Sequence, residues 1–270
     1  MVSDEVAAVP EGIDLERPSA ARVYDYYLGG AHNFAVDRAM GERAIGLWPD
    51  LPLIMQANRA FLRRAVRYCV AAGIRQFLDL GSGIPTVGNV HEVARSGAPD
   101  ARVVYVDNDP VAVSHSRFIL GDDPRCAVVQ ADMRRPDVVL NSPEVGSLLD
   151  LSQPVAVMMV AVLHFVSDAD DPAGIVAAYG DVVTPGSALV VSHATTDGQP
   201  READEHSQLY RSTATPMSMR SRAQVEGLFE GFDIVEPGVV FLPQWRPESA
   251  HDVGENPERL SGLAAVGRKR

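Results

Sequence analysis

Phe77-Leu78-Asp79-Leu80-Gly81-Ser82-Gly83-Ile84-Pro85-Thr86 reads as a buried strand that ends in an acidic, glycine-rich turn and feeds a helix. Such a turn brings backbone N–H groups and a helix N-terminus close to a ligand. By itself the Gly-x-Gly spacing points only to a nucleotide-like ligand, because tight turns need glycine whatever they hold.

Downstream of the turn, four more apolar runs of strand length follow: Arg102–Asp107, Ala127–Asp132, Val155–Val162 and Ala188–Ser192. Helical patterns separate them, including Pro110–Leu120, opened by proline at its first turn, and a helix from Pro172 capped by Asp171. Strand–helix alternation predicts an α/β, doubly wound (Rossmann-like) sheet with right-handed crossovers. Runs at Phe232–Val235, Val239–Leu242 and Leu263–Gly267 have no crossover helix between them, which predicts antiparallel pairing. With the first of these running straight into the second, the sheet is seven-stranded, mostly parallel, with an antiparallel last strand.

Upstream, Leu53–Ala72 places Ile54, Phe61, Leu62, Ala65 and Cys69 on one helical face. Residues 18–52 read as an N-terminal helical cap, whose first helix is stopped by Gly29-Gly30. Residues 1–17 are polar and expected to be a disordered N-terminus, and 53–270 form the main domain. The longest irregular stretch is 194–219, with a short helix expected near Ala203–Tyr210.

The chain of 270 residues has 46% hydrophobic residues, enough for a sizeable core. A formal net charge of −12 argues against broad affinity for a nucleic-acid backbone. Two cysteines, no Cys-x-x-Cys pair and no zinc spacing predict a reduced, cytoplasmic protein without a metal site. The longest apolar run, Val155–Leu163, is too short to span a bilayer, and no signal peptide is evident.

Ligands of such sheets bind outside the carboxyl ends of the strands. There the chain places Asp79, Gly81, Ser82 and Gly83 after the first strand, Asp107 and Asn108 after the second, Asp132 and Met133 after the third, and Ala161, Val162 and His164 after the fourth. A pyrophosphate turn wants a third glycine where Thr86 stands, and Asp79 would repel a pyrophosphate, so a nicotinamide-dependent oxidoreductase is disfavoured. S-adenosylmethionine (SAM) has no phosphate and suits an acidic site. Asp107 is placed to accept from ribose hydroxyls, Asp132 and the Met133 backbone to read the adenine edge, and Asp79 to hold the ammonium or orient the turn.

Asp79-Leu80-Gly81-Ser82-Gly83, with Asp107 and Asp132 behind it, resembles the class I SAM-dependent methyltransferases. More narrowly, Arg17–Gly30, Phe77–Thr86 and Val160-Ala161-Val162-Leu163-His164-Phe165 resemble the actinobacterial S-adenosyl methyltransferase family, long carried as a domain of unknown function. The resemblance covers about residues 17 to 268. It implies a seven-strand sheet with a reversed last hairpin, SAM as cofactor and an unspecified acceptor.

Methyl transfer needs alignment of nucleophile and methyl group, and a base only for a protonated acceptor. His164 is the candidate base; its structural alternative is that it lines the pocket or hydrogen-bonds backbone. The absence of Asn-Pro-Pro-Tyr or Asp-Pro-Pro-Tyr after the fourth strand disfavours the exocyclic amine of a nucleobase or of glutamine as acceptor, and a small molecule is the expected partner. His193 and Tyr210 are substrate-side candidates, and Tyr24, Tyr26, Tyr27 and Asn33 are candidates for a lid with a glycine hinge. An aromatic content of 6% weighs against a large flat aromatic pocket. The alternative to an enzyme is a SAM-binding sensor with little catalysis.

Overall fold

A computed structural model describes residues 14–84, 88–211 and 216–270. Five strands run parallel: β1 (Gln76–Leu80), β2 (Arg102–Asp107), β3 (Cys126–Gln130), β4 (Val155–Val160) and β5 (Ala188–Ala194). Helical connections return the chain each time: α4 (Val90–Gly97), α5 (Pro110–Leu120), α6 (Pro136–Leu140) with α7 (Pro143–Leu148), and α8 (Pro172–Asp181). Two short strands, β6 (Phe232–Ile234) and β7 (Val240–Phe241), and the longer β8 (Gly262–Lys269) close the sheet. β8 inserts antiparallel between β5 and β6, giving the order β3-β2-β1-β4-β5-β8-β6 with β7 also on β8.

The sheet thus has eight strands rather than the seven expected. Pro237, which lacks an N–H, and Gly238, at φ +89°, interrupt the edge lane, so the run expected over 232–242 is split into β6 and β7. The chain reverses its direction of growth between β1 and β4, the switch point at which ligands of such sheets bind.

The central strands are buried on both faces, yet their side chains still alternate. Phe77, Met158 and Val160 join one core, while Leu78, Leu80, Val157 and Met159 join the other. The first core is covered by α3 (Leu51–Ala71) and by α1 (Ala20–Tyr27) and α2 (Ala35–Leu47). Val23, Tyr27, Met40, Ala44 and Trp48 of the N-terminal segment pack into the same hydrophobic cluster as Phe61 and Ala65 of α3.

Buried charges hold α1 and α2 together. Arg22 Nε lies 2.9 Å from Asp37 Oδ2, with both side chains almost fully covered. Asp37 also accepts the backbone N–H groups of Ser19 and Phe34. Asp25 accepts the His32 N–H and the Asn33 side-chain amide, closing the turn at 29–34. A Cβ on Gly30 would fall 2.0 Å from the Asp25 carboxylate, so glycine is required there by packing. On α3, Arg64 is no solvated side chain: it donates to the carbonyls of Trp245 and Leu242 and ties the helix to the C-terminal loop. α9 (Pro200–Tyr210) and α10 (Arg222–Gly227) complete the chain.

Candidate active site

Two chambers open at the switch point and share a wall. The outer one, about 600 Å³, lies over the carboxyl ends of β1, β2 and β4, and the N-terminus of α1 roofs it. That volume is within the range of about 300–1,000 Å³ usual for ligand sites. The inner one, about 60 Å³, lies between α1, α3, α9 and the end of β5. Tyr24, Asn58, Ala161 and Phe165 line both.

The outer chamber brings together Asp79, Gly81, Ser82, Gly83, Asp107, Asn108, Asp132, Met133, Ala161 and Val162. Thr86 lies outside the described residues. The glycine turn does not offer its amides to a ligand as its sequence suggests. Gly81 and Ser82 both donate to the Val106 carbonyl, at 2.8 and 3.1 Å, and Gly83 donates to Asp107 Oδ2 at 2.7 Å. The following helix starts only at Val90. Among the described residues of the turn, those three N–H groups are spent within the fold rather than offered to a phosphate. Gly81 has φ +69°, and a Cβ there would lie 2.2 Å from Val162 Cγ2, so only glycine lets the turn approach the β4 loop.

The acids differ in state. Burial pushes the Asp79 carboxyl up to about 7; Arg59 opposes the rise and the neighbouring Asp107 adds to it. Among the described residues nothing hydrogen-bonds the Asp79 carboxylate. Asp107 is raised by burial to about 6, restrained by the N–H groups of Asp109 and Gly83. Its Oδ1 accepts from Asp109 at 2.8 Å, so Asp107, and not Asp79, pins the turn. Burial raises Asp132, but the bonds from the Arg134 guanidinium and backbone outweigh it and leave the carboxyl below its ordinary range. Met133 lines the chamber with its side chain in the core, and its carbonyl accepts the Tyr179 hydroxyl.

The shared wall is a chain of hydrogen bonds. Ala161, at φ +57°, donates its N–H to Ser192 Oγ at 2.9 Å. Ser192 Oγ donates to Asn58 Oδ1 at 2.5 Å, and Asn58 Nδ2 donates to the Tyr24 hydroxyl at 2.8 Å. α1 is therefore wired through α3 and β5 to the end of β4. The Ser19 hydroxyl also donates to Asp109, which N-caps α5 across the outer chamber.

The inner chamber collects Tyr24, Tyr27, His164, His193 and Tyr210. Tyr26 and Asn33 stand outside both chambers. The Tyr26 ring covers Gly41 of α2 and its hydroxyl reaches Glu42, while Asn33 is spent on Asp25, the Gly30 carbonyl and Arg38. His164 Nδ1 accepts the Ala194 N–H at 3.4 Å, which in a neutral ring puts the proton on Nε2. Burial, followed by His193, His206 and Arg220, holds His164 well below the ordinary histidine range. His193 is fully committed: Arg220 donates to Nε2 at 2.9 Å, so Nδ1 carries the proton and donates to the Ala194 carbonyl at 2.7 Å.

Asn58, Arg59, Ser192, Trp48 and His206 also line the chambers and were missed by sequence reasoning. Asn58 had a legible signal: it falls four residues from Ile54 and from Leu62, inside the apolar stripe of α3. The others carried none, since their neighbours come from distant parts of the chain.

A family model of S-adenosyl methyltransferases matches residues 6–270. The chain belongs to the S-adenosyl methyltransferase family. SAM-dependent methylation is the activity that membership carries. Two crystal structures of similar chains match this one over nearly their whole length. A DUF574 family protein from Streptomyces avermitilis is 42% identical, with 95% of this chain and 99% of that one covered and a TM-score of 0.91. A Thermobifida fusca protein proposed to be a methyltransferase is 42% identical, with 98% and 99% covered and a TM-score of 0.92. Human N-acetylserotonin methyltransferase in complex with SAM shares the fold at 17% identity, with 94% of this chain and 63% of that one covered and a TM-score of 0.50. No curated protein matches the chain. Among the described residues no helix is long and apolar enough to cross a membrane.

The outer chamber of this family member fits SAM on its own chemistry. Its acidic lining suits a cation, the N–H groups of Gly81, Ser82 and Gly83 are spent within the fold, and Ser82 Oγ and Arg59 Nε are buried there without a partner.

Proposed function

We propose that this methyltransferase acts on a small-molecule acceptor held in the inner chamber, with SAM in the outer one. The observation that carries this reading is the common wall of Tyr24, Asn58, Ala161 and Phe165, the one place where both contents would meet. SAM supplies a methyl group activated by a sulfonium.

Asp107 has lone pairs left for the two ribose hydroxyls after its two backbone bonds. Asp132 and Met133 face the adenine edge. Asp79 takes the ammonium, and Arg59, whose Nε is unpartnered, takes the carboxylate. Ala161 and Val162 line the methyl end. Tyr24 and Tyr27 close the chamber against water. His164 faces the acceptor with Nε2, which has no partner among the described residues, and in this tautomer it orients an acceptor oxygen by donating to it. Proton acceptance by His164 requires exchange of the tautomer, which breaks only the long bond from Ala194.

The test is transfer from methyl-labelled SAM to the small-molecule fraction of a cell extract. The expected result is a labelled product that disappears with Asn58→Leu, which removes the two hydrogen bonds that Asn58 makes in the shared wall. Tight SAM binding with label passing to nothing in a broad extract would leave the sensor reading standing in place of this one.

A further inference from the structure

We propose that Trp48 and His206 recognise a hydroxyl on an uncharged, ring-bearing acceptor, so that the inner chamber admits hydroxylated rings and rejects carboxylates, phosphates and ammonium groups. The proposal rests on the assignment of SAM to the outer chamber.

Among the described residues, two buried nitrogen-bearing rings that line the chamber lack hydrogen-bond partners. Trp48 is 2% exposed and its indole N–H is unpaired; His206 is 3% exposed and both ring nitrogens are unpaired. The two rings are neighbours, edge to face with centroids 5.7 Å apart. Folded proteins satisfy most buried polar atoms, and three orphans at one spot mark a place where a ligand completes the bonding. The complement they need is specific. Trp48 can only donate, and a neutral imidazole donates from one nitrogen and accepts at the other. A hydroxyl both accepts and donates and so can satisfy both rings. A carboxylate only accepts, and an ammonium only donates.

The rest of the lining excludes charge. Among the described residues no Asp, Glu, Lys or Arg side chain lines the chamber. Arg220, behind His193, is spent on the carbonyls of Leu163 and Val166, on Asp168 and on His193. An ionised ligand would enter without a counter-charge, which is costly away from water. Burial holds His206 near 4, so it is neutral at physiological pH and supplies no cation. Aromatic faces and edges of Tyr24, Tyr27, Phe165 and Tyr210 favour a planar ring, and at about 60 Å³ the chamber must widen to admit one.

The experiment is calorimetric titration of catechol and of salicylate into the full chain saturated with S-adenosylhomocysteine. Catechol is expected to bind, and salicylate at least about tenfold more weakly. Trp48→Phe and His206→Leu should each weaken catechol by about tenfold with S-adenosylhomocysteine affinity kept within about twofold. His206→Leu should also raise Tm by about 2 °C, because it removes unpaired buried nitrogens. Equal affinity for salicylate, no binding of catechol, catechol affinity unchanged in both variants, or a lower Tm for His206→Leu would each overturn the proposal. Failure of S-adenosylhomocysteine itself to bind would instead overturn the assignment of the outer chamber, and the proposal with it.

Discussion

Asp79 ties cofactor affinity to pH. Its carboxyl, ordinarily near 3.8, is raised by burial to about 7, so the ionised form that attracts an ammonium is lost as pH falls through neutrality. SAM affinity should therefore fall below about pH 7, by up to about tenfold per unit, and more steeply below about 6 as Asp107 follows. Asp79→Asn should weaken binding at pH 8 and remove the upper step; a wild-type profile that is flat from pH 8 to 6 would show that Asp79 does not meet the cation. His164 offers a second test at this scale. A glutamine amide can donate where Nε2–H does, so His164→Gln should keep labelled-SAM transfer within about tenfold of wild type while His164→Ala loses about a hundredfold. Equal losses in the two variants would assign proton acceptance, not orientation, to the imidazole.

The glycine turn is the element whose reading changed most. Its sequence told that a ligand site follows β1, because glycine, acid and strand came in the right order. Where its N–H groups go was not legible, because their acceptors, Val106 and Asp107, belong to β2, more than twenty residues on. Gly81→Ala should cost about 1–3 kcal/mol of stability, from the strained φ and the clash with Val162, read as a lower denaturant midpoint. The N-terminal helices show the same limit. Three tyrosines beside Gly29-Gly30 suggested a lid, but spacing could not say that Tyr24 and Tyr27 face the chamber while Tyr26 faces α2. Nor could it pair Arg22 with Asp37, on which the α1–α2 unit depends. Asp37→Ala leaves Arg22 buried without its ion partner and should destabilise the chain by about 3–5 kcal/mol. Hydrogen exchange should then rise in residues 20–47 first; uniform loss of protection would mean that α1 and α2 do not open as a unit.

Across the whole molecule the sheet was the most legible feature, since fully apolar runs of strand length between helical segments leave few alternatives. The inner chamber was the least. A low aromatic content argued against an aromatic pocket, yet Tyr24, Tyr27, Trp48, Phe165 and Tyr210 converge there from four separate stretches of chain. Burial of charge also sets the pH behaviour of the fold. His193 and His206, ordinarily near 6.5, are pushed down to about 4, so the unfolded chain takes up protons first and stability falls as pH drops from about 6.5 to 4. Asp79 and Asp107 act with the opposite sign, since the folded chain takes up their protons first and gains stability as pH drops from about 7 to 4. His164, also held well below the ordinary range, tips this balance toward loss, so urea midpoints of the free protein should fall modestly between pH 7 and 5, and saturating SAM, which favours the ionised acids, should steepen the fall. The assignment on which all of this rests is that the outer chamber holds SAM through Asp107. Calorimetric titration of SAM into the wild-type chain and into Asp107→Ala at pH 8 tests it most directly. The expected result is one site per chain, weakened by about 1.5–3 kcal/mol, roughly tenfold to a hundredfold, in the variant; no binding to the wild type, or equal affinity in the two, would contradict it.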